Sequence, residues 1–167
     1  MYETHDDTYC YANSTVLKNK ANLTNEDDLV EFEAAMTLLR SSEPLPSGHL
    51  DFEHYKAVHH HLFQDVYNWA GQVRTIRISK GGSMFCYPEH INAEMGKVFT
   101  ALEKERYLTD LDQEAFSGRA AHYISEINAI HPFLEGNGRV QLSYLILLAY
   151  HAGHPMDLKK LDESKVI

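Results

Sequence analysis

Apolar side chains recur every three or four residues along most of this chain, which is the spacing of one face of an α-helix. The pattern predicts a helix after an N-cap at Thr24 and a second helix after an N-cap at Asp51. Further helices are predicted over residues 89–104 and 119–130. Residues 140–150 are almost wholly apolar, which predicts a last helix that is largely buried. The chain is therefore expected to be all-α, with one exception.

The same spacing assigns the inward faces of these helices. The predicted core residues are Leu29, Phe32, Met36 and Leu39 in the first helix, Tyr55, Val58, His59, Leu62, Phe63, Val66 and Trp69 in the second, Ile91, Met95, Val98, Phe99 and Leu102 in the third, and Ala120, Tyr123, Ile124, Ile127 and Ile130 in the fourth. The run His59-His60-His61 is not expected to hold a metal ion, because consecutive helical side chains point about 100° apart.

The exception is a predicted β-hairpin. Residues 73–78 alternate with a period of two, which is typical of a strand, and Ile76 and Ile78 share one face of it. A glycine-rich turn at residues 79–83 follows, and residues 84–87 are predicted to return as a second strand. A two-stranded ribbon is marginally stable alone, so this hairpin must rest on the helices and can leave an edge open.

The stretch that carries the most chemistry is residues 131–139, which read His-Pro-Phe-Leu-Glu-Gly-Asn-Gly-Arg and join two predicted helices. Pro132 disfavours helical geometry at His131 and so ends the first of these helices. The Gly-Asn-Gly turn and the N-terminus of the second helix direct backbone N–H groups at one point, where a phosphate is favoured. Arg139 adds a forked cation.

Two further side chains of this stretch are suited to chemistry. Glu135 is a carboxylate of the kind that holds Mg²⁺ together with a substrate's phosphates. His131 titrates near neutrality and can take a proton from an attacking hydroxyl. Taken singly, a Gly-x-Gly is usually a turn and a histidine beside Pro-Phe is usually structural, whereas the whole ordered string is far more specific. The residues by themselves leave phosphoryl transfer and nucleotidyl transfer both open.

The string resembles the signature of the Fic family, H-x-F-x-[D/E]-G-N-G-R-x-x-R, at every position except the last, where Leu142 replaces the second arginine. Weaker similarities lie over residues 64–71 and over residues 9–20, the latter resembling Fic domains of Bartonella effectors. The resemblance covers a core of about residues 51–153 and implies the Fic fold, a helical core with a short β-hairpin flap over the active site. It implies transfer of AMP from ATP to a Tyr, Thr or Ser hydroxyl of a target protein.

The resemblance also implies a role for each matching residue. His131 would be the catalytic base and Glu135 the Mg²⁺ ligand. The nucleotide-binding residues would be Phe133, which anchors the loop, with Gly136, Asn137, Gly138, Arg139, Leu142, Lys80 and Gly81. The flap that docks the target as an added strand would comprise Ile76, Ile78, Ser79, Lys80 and Gly82.

Regulation of the family bears on Leu142. Fic enzymes are commonly inhibited by a helix with an [S/T]-x-x-x-E-[G/N] motif, whose glutamate pairs with the second arginine. The chain has no such motif, so the resemblance implies that an inhibitory glutamate would come in trans from a small antitoxin partner. Leu142 removes the arginine that this glutamate grips and that normally contacts the γ-phosphate.

Three hypotheses therefore stay open. The first is a protein adenylyltransferase, and the second is a Fic-fold transferase that uses another phosphate-containing donor. The third is a catalytically impaired domain that acts as a binding module through its flap. The effector resemblance suggests host small GTPases as targets.

The length and composition of the chain limit the domain organisation, the partners and the location that we expect. At 167 residues the chain has the size of a single domain, residues 1–167, with an N-terminal helical extension over about residues 9–40. Its formal net charge of −9 argues against nucleic-acid binding. Without an apolar run of membrane-spanning length or a signal-peptide pattern, no membrane association is expected. We expect a cytoplasmic location in the producing bacterium, and the effector resemblance adds translocation into a host cell.

Two details concern the cysteines and the C-terminus. Cys10 and Cys86 are too few for a disulfide framework and are predicted to be thiols. Leu158 and Leu161 suggest a last helical turn without a clear cap, which would be typical of an excerpt from a longer protein.

Overall fold

The computed structural model describes residues 8–156 of the chain. Within this range are helices α1 (Glu26–Ser41), α2 (Phe52–Phe63), α3 (Pro88–Lys104), α4 (Gln113–Ile130) and α5 (Asn137–His151), strands β1 (Ser79–Lys80) and β2 (Ser83–Met84), and a short 3-10 turn at Arg106–Leu108. The predicted all-α architecture with one small hairpin is confirmed. The suggested last turn at Leu158 and Leu161 lies outside the described residues.

Helix α2 is the centre of the core, because it packs against α1, α3 and α5. Its residues Tyr55, Val58, Leu62 and Phe63 are completely or almost completely buried. The ring of Tyr55 lies 5.3 Å from that of Tyr144 on α5, centre to centre. The predicted inward face of this helix is therefore confirmed along its length.

Two helix starts were predicted, and one is off by a residue. The Asp51 carboxylate accepts a hydrogen bond of 2.8 Å from the His54 N–H, so the predicted cap of α2 is confirmed. For α1 the prediction of Thr24 is wrong, since Asn25 is the N-cap and its Oδ1 accepts from the N–H groups of Asp27 and Asp28. Asparagine caps at least as well as threonine, so the sequence contains two competing signals.

The inward face of α1 is more polar than predicted. Leu29 is buried, but Leu39 is 52% exposed, so its assignment to the core is wrong. Thr37 is buried instead, and Arg40 turns inward to make two hydrogen bonds with Asp65, of 2.6 and 2.9 Å. The helix is rotated so that these polar groups face the rest of the molecule, where they meet charged partners.

The second helix also ends earlier than its apolar stripe, which was predicted to continue to Trp69. It stops at Phe63, and Lys20 from the N-terminal segment holds the chain beyond it. The Lys20 side chain donates to the Gln64 carbonyl at 2.6 Å, and its N–H donates to the Val66 carbonyl at 2.8 Å. These carbonyls are thereby satisfied outside a helix.

The hairpin is shorter than predicted. Only Ser79–Lys80 and Ser83–Met84 form strands, with Ser79 opposite Met84 and Lys80 opposite Ser83. The strands predicted at residues 73–78 and 84–87 are wrong for a physical reason: Arg74 turns inward, and its N–H bonds the Pro132 carbonyl at 3.0 Å rather than a partner strand.

Two further predictions concern the whole described part of the chain. Cys10 and Cys86 are thiols, as predicted. Between residues 8 and 156, no helix has the length and apolar character needed to cross a bilayer.

Candidate functional site

The site is built on the loop between α4 and α5, and its first residue leaves the helix abruptly. His131 is the C-cap of α4 in a left-handed conformation (φ 54°, ψ 67°), and its N–H still bonds the Ile127 carbonyl at 2.9 Å. The predicted helix end before Pro132 is confirmed. The left-handed turn swings residues 132–136 back across the end of α4 towards α2.

The middle of the loop is closed on itself by Asn137. The Asn137 side chain accepts a hydrogen bond from the Phe133 N–H (3.0 Å) and donates one to the Phe133 carbonyl (2.8 Å). Asn137 is 1% exposed and Phe133 is completely buried. Both residues therefore shape the loop from inside, and the phenyl ring of Phe133 lies out of reach of a bound substrate.

Gly136 is required by both conformation and space. It is the N-cap of α5 with φ 82°, a left-handed conformation that favours glycine. A Cβ added there would lie 2.2 Å from the ring of Phe63. The close approach brings the start of α5 directly onto α2, and the first turn of α5 is the positive end of that helix.

His59 supports the loop from below. Its ring stacks on that of Phe133 at 3.8 Å, its Nδ1 accepts from the Gly71 N–H at 2.8 Å, and its Nε2 lies 3.0 Å from the Glu135 carbonyl. Since Nδ1 is an acceptor, Nε2 carries the proton and donates to Glu135. Burial lowers the pKa of His59 to about 4, which keeps this neutral tautomer. The neighbouring His60 and His61 bond the carbonyls of Ala70 and Arg40, so the three rings point to three different places.

His131 itself is 5% exposed and lies under the hairpin. Its Nδ1 is 3.3 Å from the Asn128 carbonyl, and its ring stacks against Phe85 at 4.0 Å. Burial lowers the pKa of His131 to about 4, with smaller contributions from the positive charges of Arg74 and Lys80. The ring is therefore neutral at neutral pH, and because Nδ1–H donates to Asn128, Nε2 is its basic nitrogen.

The position of His131 is held by Arg74, which sequence reasoning missed. This arginine is only 2% exposed. Its guanidinium donates to the carbonyls of His131 (2.8 Å) and Ile130 (3.2 Å) in the loop, and to those of Ile76 and Cys86 (both 2.6 Å) on either side of the hairpin. One buried cation thus joins the loop after α4 to the base of the hairpin.

Glu135 faces the other side of the loop. Its Oε1 accepts from the Gly136 N–H at 2.9 Å, and its side chain is one-third exposed. Burial raises the pKa of Glu135, and the negative charge of Glu33 adds to the shift. No cluster of three or more His, Cys, Asp or Glu side chains suited to a metal occurs in residues 8–156. An ion here would be held by one or two carboxylates together with substrate oxygens, which is the donor set that Mg²⁺ accepts.

Arg139 lies on the first turn of α5 and contacts α1. Its Nη2 forms an ion pair with Glu33, its Nη1 donates to the Thr37 hydroxyl at 3.3 Å, and its guanidinium lies 4.6 Å from the centre of the Phe63 ring. The side chain is 40% exposed. Leu142 follows one turn later on the same helix and is half-buried.

The hairpin places its tip clear of the body. Gly81 and Gly82 form its two-residue turn with φ of 59° and 78°, and a Cβ built on either would meet no atom within 4 Å. Ile78 is buried, Ile76 and Ser79 are half-buried, and Lys80 is exposed. The structure therefore brings His131, Glu135 and Gly136–Arg139 together in one loop and leaves Lys80, Gly81 and Gly82 at the edge of it.

Comparison with known proteins identifies this arrangement. Residues 49–149 match the sequence profile of the Fic/DOC family, which is more than half of the chain. The chain belongs to the Fic/DOC family. The matched region contains α2, α3, α4, most of α5, the flap and the loop, whereas α1 and the segment before it lie outside the match.

Two curated Fic relatives are similar over 99% of this chain. One is the probable protein adenylyltransferase y4lH of Sinorhizobium fredii, which is 46% identical over 167 residues that make up 87% of its length. The other is the protein adenylyltransferase VbhT of Bartonella schoenbuchensis, which is 34% identical, and this chain spans 35% of its length.

A solved structure agrees with the Fic fold. The N-terminal Fic domain of a VirB-translocated Bep effector protein from Bartonella quintana, solved with bound ADP, is 27% identical to this chain. Its TM-score is 0.85, and the match covers 96% of this chain and 84% of that one. The predicted Fic fold is confirmed.

The residues that sequence reasoning missed share one property. Arg74 and Glu33 support the Fic loop from other segments, and neither was predicted to be a site residue, since Arg74 lay in a predicted strand and Glu33 in a predicted helix. The available signal was weak: Arg74 shares the period-two face of Ile76 and Ile78, and Glu33 lies four residues after the buried Leu29. A charged residue at an inward position is more often explained by a partner than by solvent.

Proposed function

We propose that this Fic domain is a protein adenylyltransferase, which transfers AMP from ATP to the hydroxyl of a Tyr, Thr or Ser side chain in a target protein. The observation that carries the proposal is the loop itself: a neutral buried histidine, a carboxylate, the positive end of α5 and an arginine lie within residues 131–139 in one ordered structure. The adenylyltransferase names of the two curated relatives support the same reaction.

His131 is the general base of the proposed reaction. Its neutral ring holds Nδ1–H on the Asn128 carbonyl, so Nε2 takes the proton of the attacking hydroxyl. The hydroxyl oxygen bonds the α-phosphorus as the bond from that phosphorus to the bridging oxygen breaks, and pyrophosphate leaves with the bond's electron pair. The low pKa of His131 keeps the base deprotonated at neutral pH, although it makes the nitrogen a weaker base.

The phosphates are held by the start of α5. The first turn of α5, with Gly136, Asn137 and Gly138, is the positive end of that helix and attracts an anion, and such preorganised dipoles stabilise charge that develops during transfer. Arg139 adds the positive charge at this end of the loop. Lys80 and Gly81 at the flap tip close over the nucleotide from the other side.

Glu135 fits the role of Mg²⁺ ligand. Its side chain is partly exposed beside the proposed phosphate site, and one carboxylate oxygen, Oε1, is fixed by the Gly136 N–H. Mg²⁺ bound there would offset negative charge on the α- and β-phosphates of ATP. Because burial raises its pKa, Glu135 is more easily protonated than an ordinary glutamate, and the ion and the proton compete for it.

The flap docks the target as an added strand. Phe85 N–H bonds the Ile78 carbonyl at 3.2 Å, so Ile78 and Phe85 form a hydrogen-bonded pair and the next pair, Ser79 and Met84, does not. By the alternation of an antiparallel ladder, the N–H and C=O of Ser79 point away from β2. This outward edge, with the half-buried Ile76 beside it, accepts a target backbone close to His131.

The proposed partners and location draw support from the relatives. A target protein is required by the reaction, and a host small GTPase is the candidate that the similarity to translocated Bartonella effectors favours. Inhibition by a small antitoxin that supplies a glutamate in trans remains part of the proposal, although Leu142 offers that glutamate no cation. The domain acts in the cytoplasm of the producing bacterium or, after translocation, in a host cell.

The experiment that tests the proposal is mass spectrometry of target-cell and bacterial lysates after incubation with the domain, ATP and Mg²⁺, with His131→Ala as the matched control. Proteins that gain the mass of AMP with the wild type and not with the variant are the expected result. A different added group would favour a Fic-fold transferase with another donor. No added group in either lysate would leave only a binding module.

The docking edge has its own test. Ser79→Pro removes an outward N–H without touching the bonds between β1 and β2, since proline is tolerated at a free edge. Met84→Pro removes the equivalent N–H from the opposite edge and is the matched control. Target labelling should fall with Ser79→Pro alone, while ATP affinity by calorimetry stays unchanged in both. Equal labelling by the two variants would exclude docking along β1.

A further inference from the structure

Arg139, at the start of α5, is held by a helix that lies outside the region matching the family. Glu33 on α1 forms an ion pair with Arg139 on α5, across 106 positions of sequence. Thr37, one turn further along α1, receives a second hydrogen bond from the same guanidinium. Both contacts come from residues before position 49, where the match to the Fic/DOC family begins.

Glu33 is itself held in place. Its side chain is 13% exposed, and its second carboxylate oxygen accepts a hydrogen bond from the Tyr67 hydroxyl. The ring of Tyr67 is buried and stacks on that of Trp69 at 4.3 Å. The Thr37 hydroxyl donates to the Glu33 carbonyl at 2.7 Å, so its lone pairs face Arg139. The carboxylate therefore has one position, set by three segments of the chain.

The Glu33 end of the ion pair lies at a cavity. This cavity has a volume of about 340 Å³, and its lining includes Glu33, Tyr67 and Glu135 of the loop. The Arg139 guanidinium stands between the two carboxylates, with Nη2 3.9 Å from Glu135 Oε1. Two of its N–H groups face α1, and with 40% of the side chain exposed the guanidinium can still meet a substrate.

A fixed orientation matters more here because Leu142 contributes no cation. An unrestrained arginine loses side-chain entropy when it binds a phosphate. If this loss occurs only in the transition state, it lowers the rate by up to about thirtyfold. A carboxylate that already orders the guanidinium removes that penalty. The same carboxylate also repels phosphates, so its benefit should appear in the rate and not in the affinity for ATP.

We propose that Glu33 is a positioning residue of the transfer site, which holds the Arg139 guanidinium at the mouth of the loop, and that Tyr67 holds Glu33. The inference rests on the proposed transfer reaction. It makes the N-terminal helix part of the catalytic apparatus, although the family match does not include it. It also predicts that a fragment beginning at residue 49 would be impaired even if it folded.

The test compares Glu33→Gln with Glu31→Gln, which removes the same charge from an exposed position on the same helix. In full-length chains, Glu33→Gln should lower kcat for AMP transfer by about tenfold to thirtyfold, with an unchanged or lower Kd for ATP. Glu31→Gln should leave both values unchanged. Tyr67→Phe, which keeps the Glu33 charge but frees the carboxylate, should lower kcat by a smaller factor.

Side-chain NMR of the nucleotide-free proteins reports on the guanidinium directly. The Arg139 signals, assigned with Arg139→Lys, should show slow rotation of the guanidinium in the wild type and in Glu31→Gln, and fast rotation in Glu33→Gln. A thermal melt of each variant shows that a lower kcat is not loss of fold.

Three results would overturn the inference: a kcat for Glu33→Gln equal to that of the wild type, a higher kcat, which would mean that Glu33 restrains the enzyme, or a guanidinium that rotates equally slowly in both. A wild type that transfers no AMP to any protein would instead contradict the proposed function. In that case the NMR comparison still decides whether Glu33 holds Arg139.

Discussion

The two ends of the loop are fixed by opposite physical means. At the His131 end, the buried guanidinium of Arg74 binds backbone carbonyls, and these hydrogen bonds are here called the Arg74 clamp. No exposed side chain takes part in it. At the Arg139 end, a partly exposed guanidinium is held by the side chain of Glu33 on another helix. Buried contacts to the backbone are little affected by salt, whereas a partly exposed ion pair is screened by it.

Because of this difference, His131 has a fixed position in the folded domain, whereas the position of Arg139 depends on a contact with another helix. The base is placed by the main chain of its own loop and of the flap, so it is in position whenever the domain is folded. The arginine is placed only while α1 is packed against α2, from where Glu33 reaches Arg139 on α5. The predictions that follow address the two ends in turn, beginning with the largest effect.

Loss of the base should have the largest effect on catalysis. His131→Asn removes Nε2 but suits the left-handed backbone, because asparagine tolerates positive φ better than most residues. We expect AMP transfer to fall by roughly 10²–10⁴-fold with little change in the melting temperature. The exposed His122→Asn is the control for loss of an imidazole. A timed transfer assay in which His131→Asn forms product as fast as the wild type would rule out His131 as the base.

Removal of the clamp at the same end should mainly lower stability. Arg74→Met keeps most of the side-chain volume but leaves four carbonyls without the guanidinium, and each buried acceptor left unsatisfied costs about 1–3 kcal/mol. Urea unfolding of Arg74→Met and of the exposed Arg77→Met measures the difference. If both variants unfold at the same urea concentration, the clamp contributes nothing to the position of the loop.

The Arg139 end can be strengthened at the position that departs from the family signature. Leu142→Arg places a second guanidinium one turn from Arg139 on the same side of α5. A hydrogen bond to a charged group contributes roughly 1.5–3 kcal/mol, so ATP binding should tighten by about tenfold to a hundredfold.

Calorimetric titration with ATP, together with a thermal melt, measures that change, and Leu142→Met controls for altered packing. No gain in affinity from a well-folded Leu142→Arg would mean that the leucine suits another donor. Titration of the variant with a glutamate-bearing antitoxin helix would then show whether the new arginine also restores inhibition in trans.

The smallest expected effect is on the pH profile. His131 acts when deprotonated, and its pKa of about 4 means that it stays deprotonated as the pH falls towards that value. Between pH 7.5 and pH 6, kcat/KM should change by less than about twofold, whereas an imidazole with the ordinary pKa of 6.5 would lose about fourfold.

Glu135 must also be deprotonated to act, and its raised pKa moves its protonation towards this range. The profile is therefore measured at saturating Mg²⁺, which competes with the proton. A fourfold fall that persists at saturating Mg²⁺ would show that His131 is not desolvated in the working enzyme.

Much of this protein was determined by local sequence. Pro132 ended α4, Asp51 began α2, and the glycines at positions 81 and 82 set the turn of the hairpin, because each acts on its own backbone or on residues within one turn. The ordered loop motif likewise identified the family, since its parts lie next to each other in the chain.

The parts that only the tertiary structure decided are contacts between distant segments. The sequence predicted Arg74 to be an ordinary residue of a strand, whereas in the structure its guanidinium binds carbonyls 56 and 57 positions away. Glu33 looked like one of several acidic residues on an amphipathic helix, and only its spacing of four residues from Leu29 sets it apart from Glu31. A charged side chain by itself favours solvent, because desolvation opposes burial, and only a suitable partner in the folded structure reverses that balance. Which glutamate meets Arg139 is therefore settled by how α1 is rotated where it packs against α2, and that rotation depends on packing across the core.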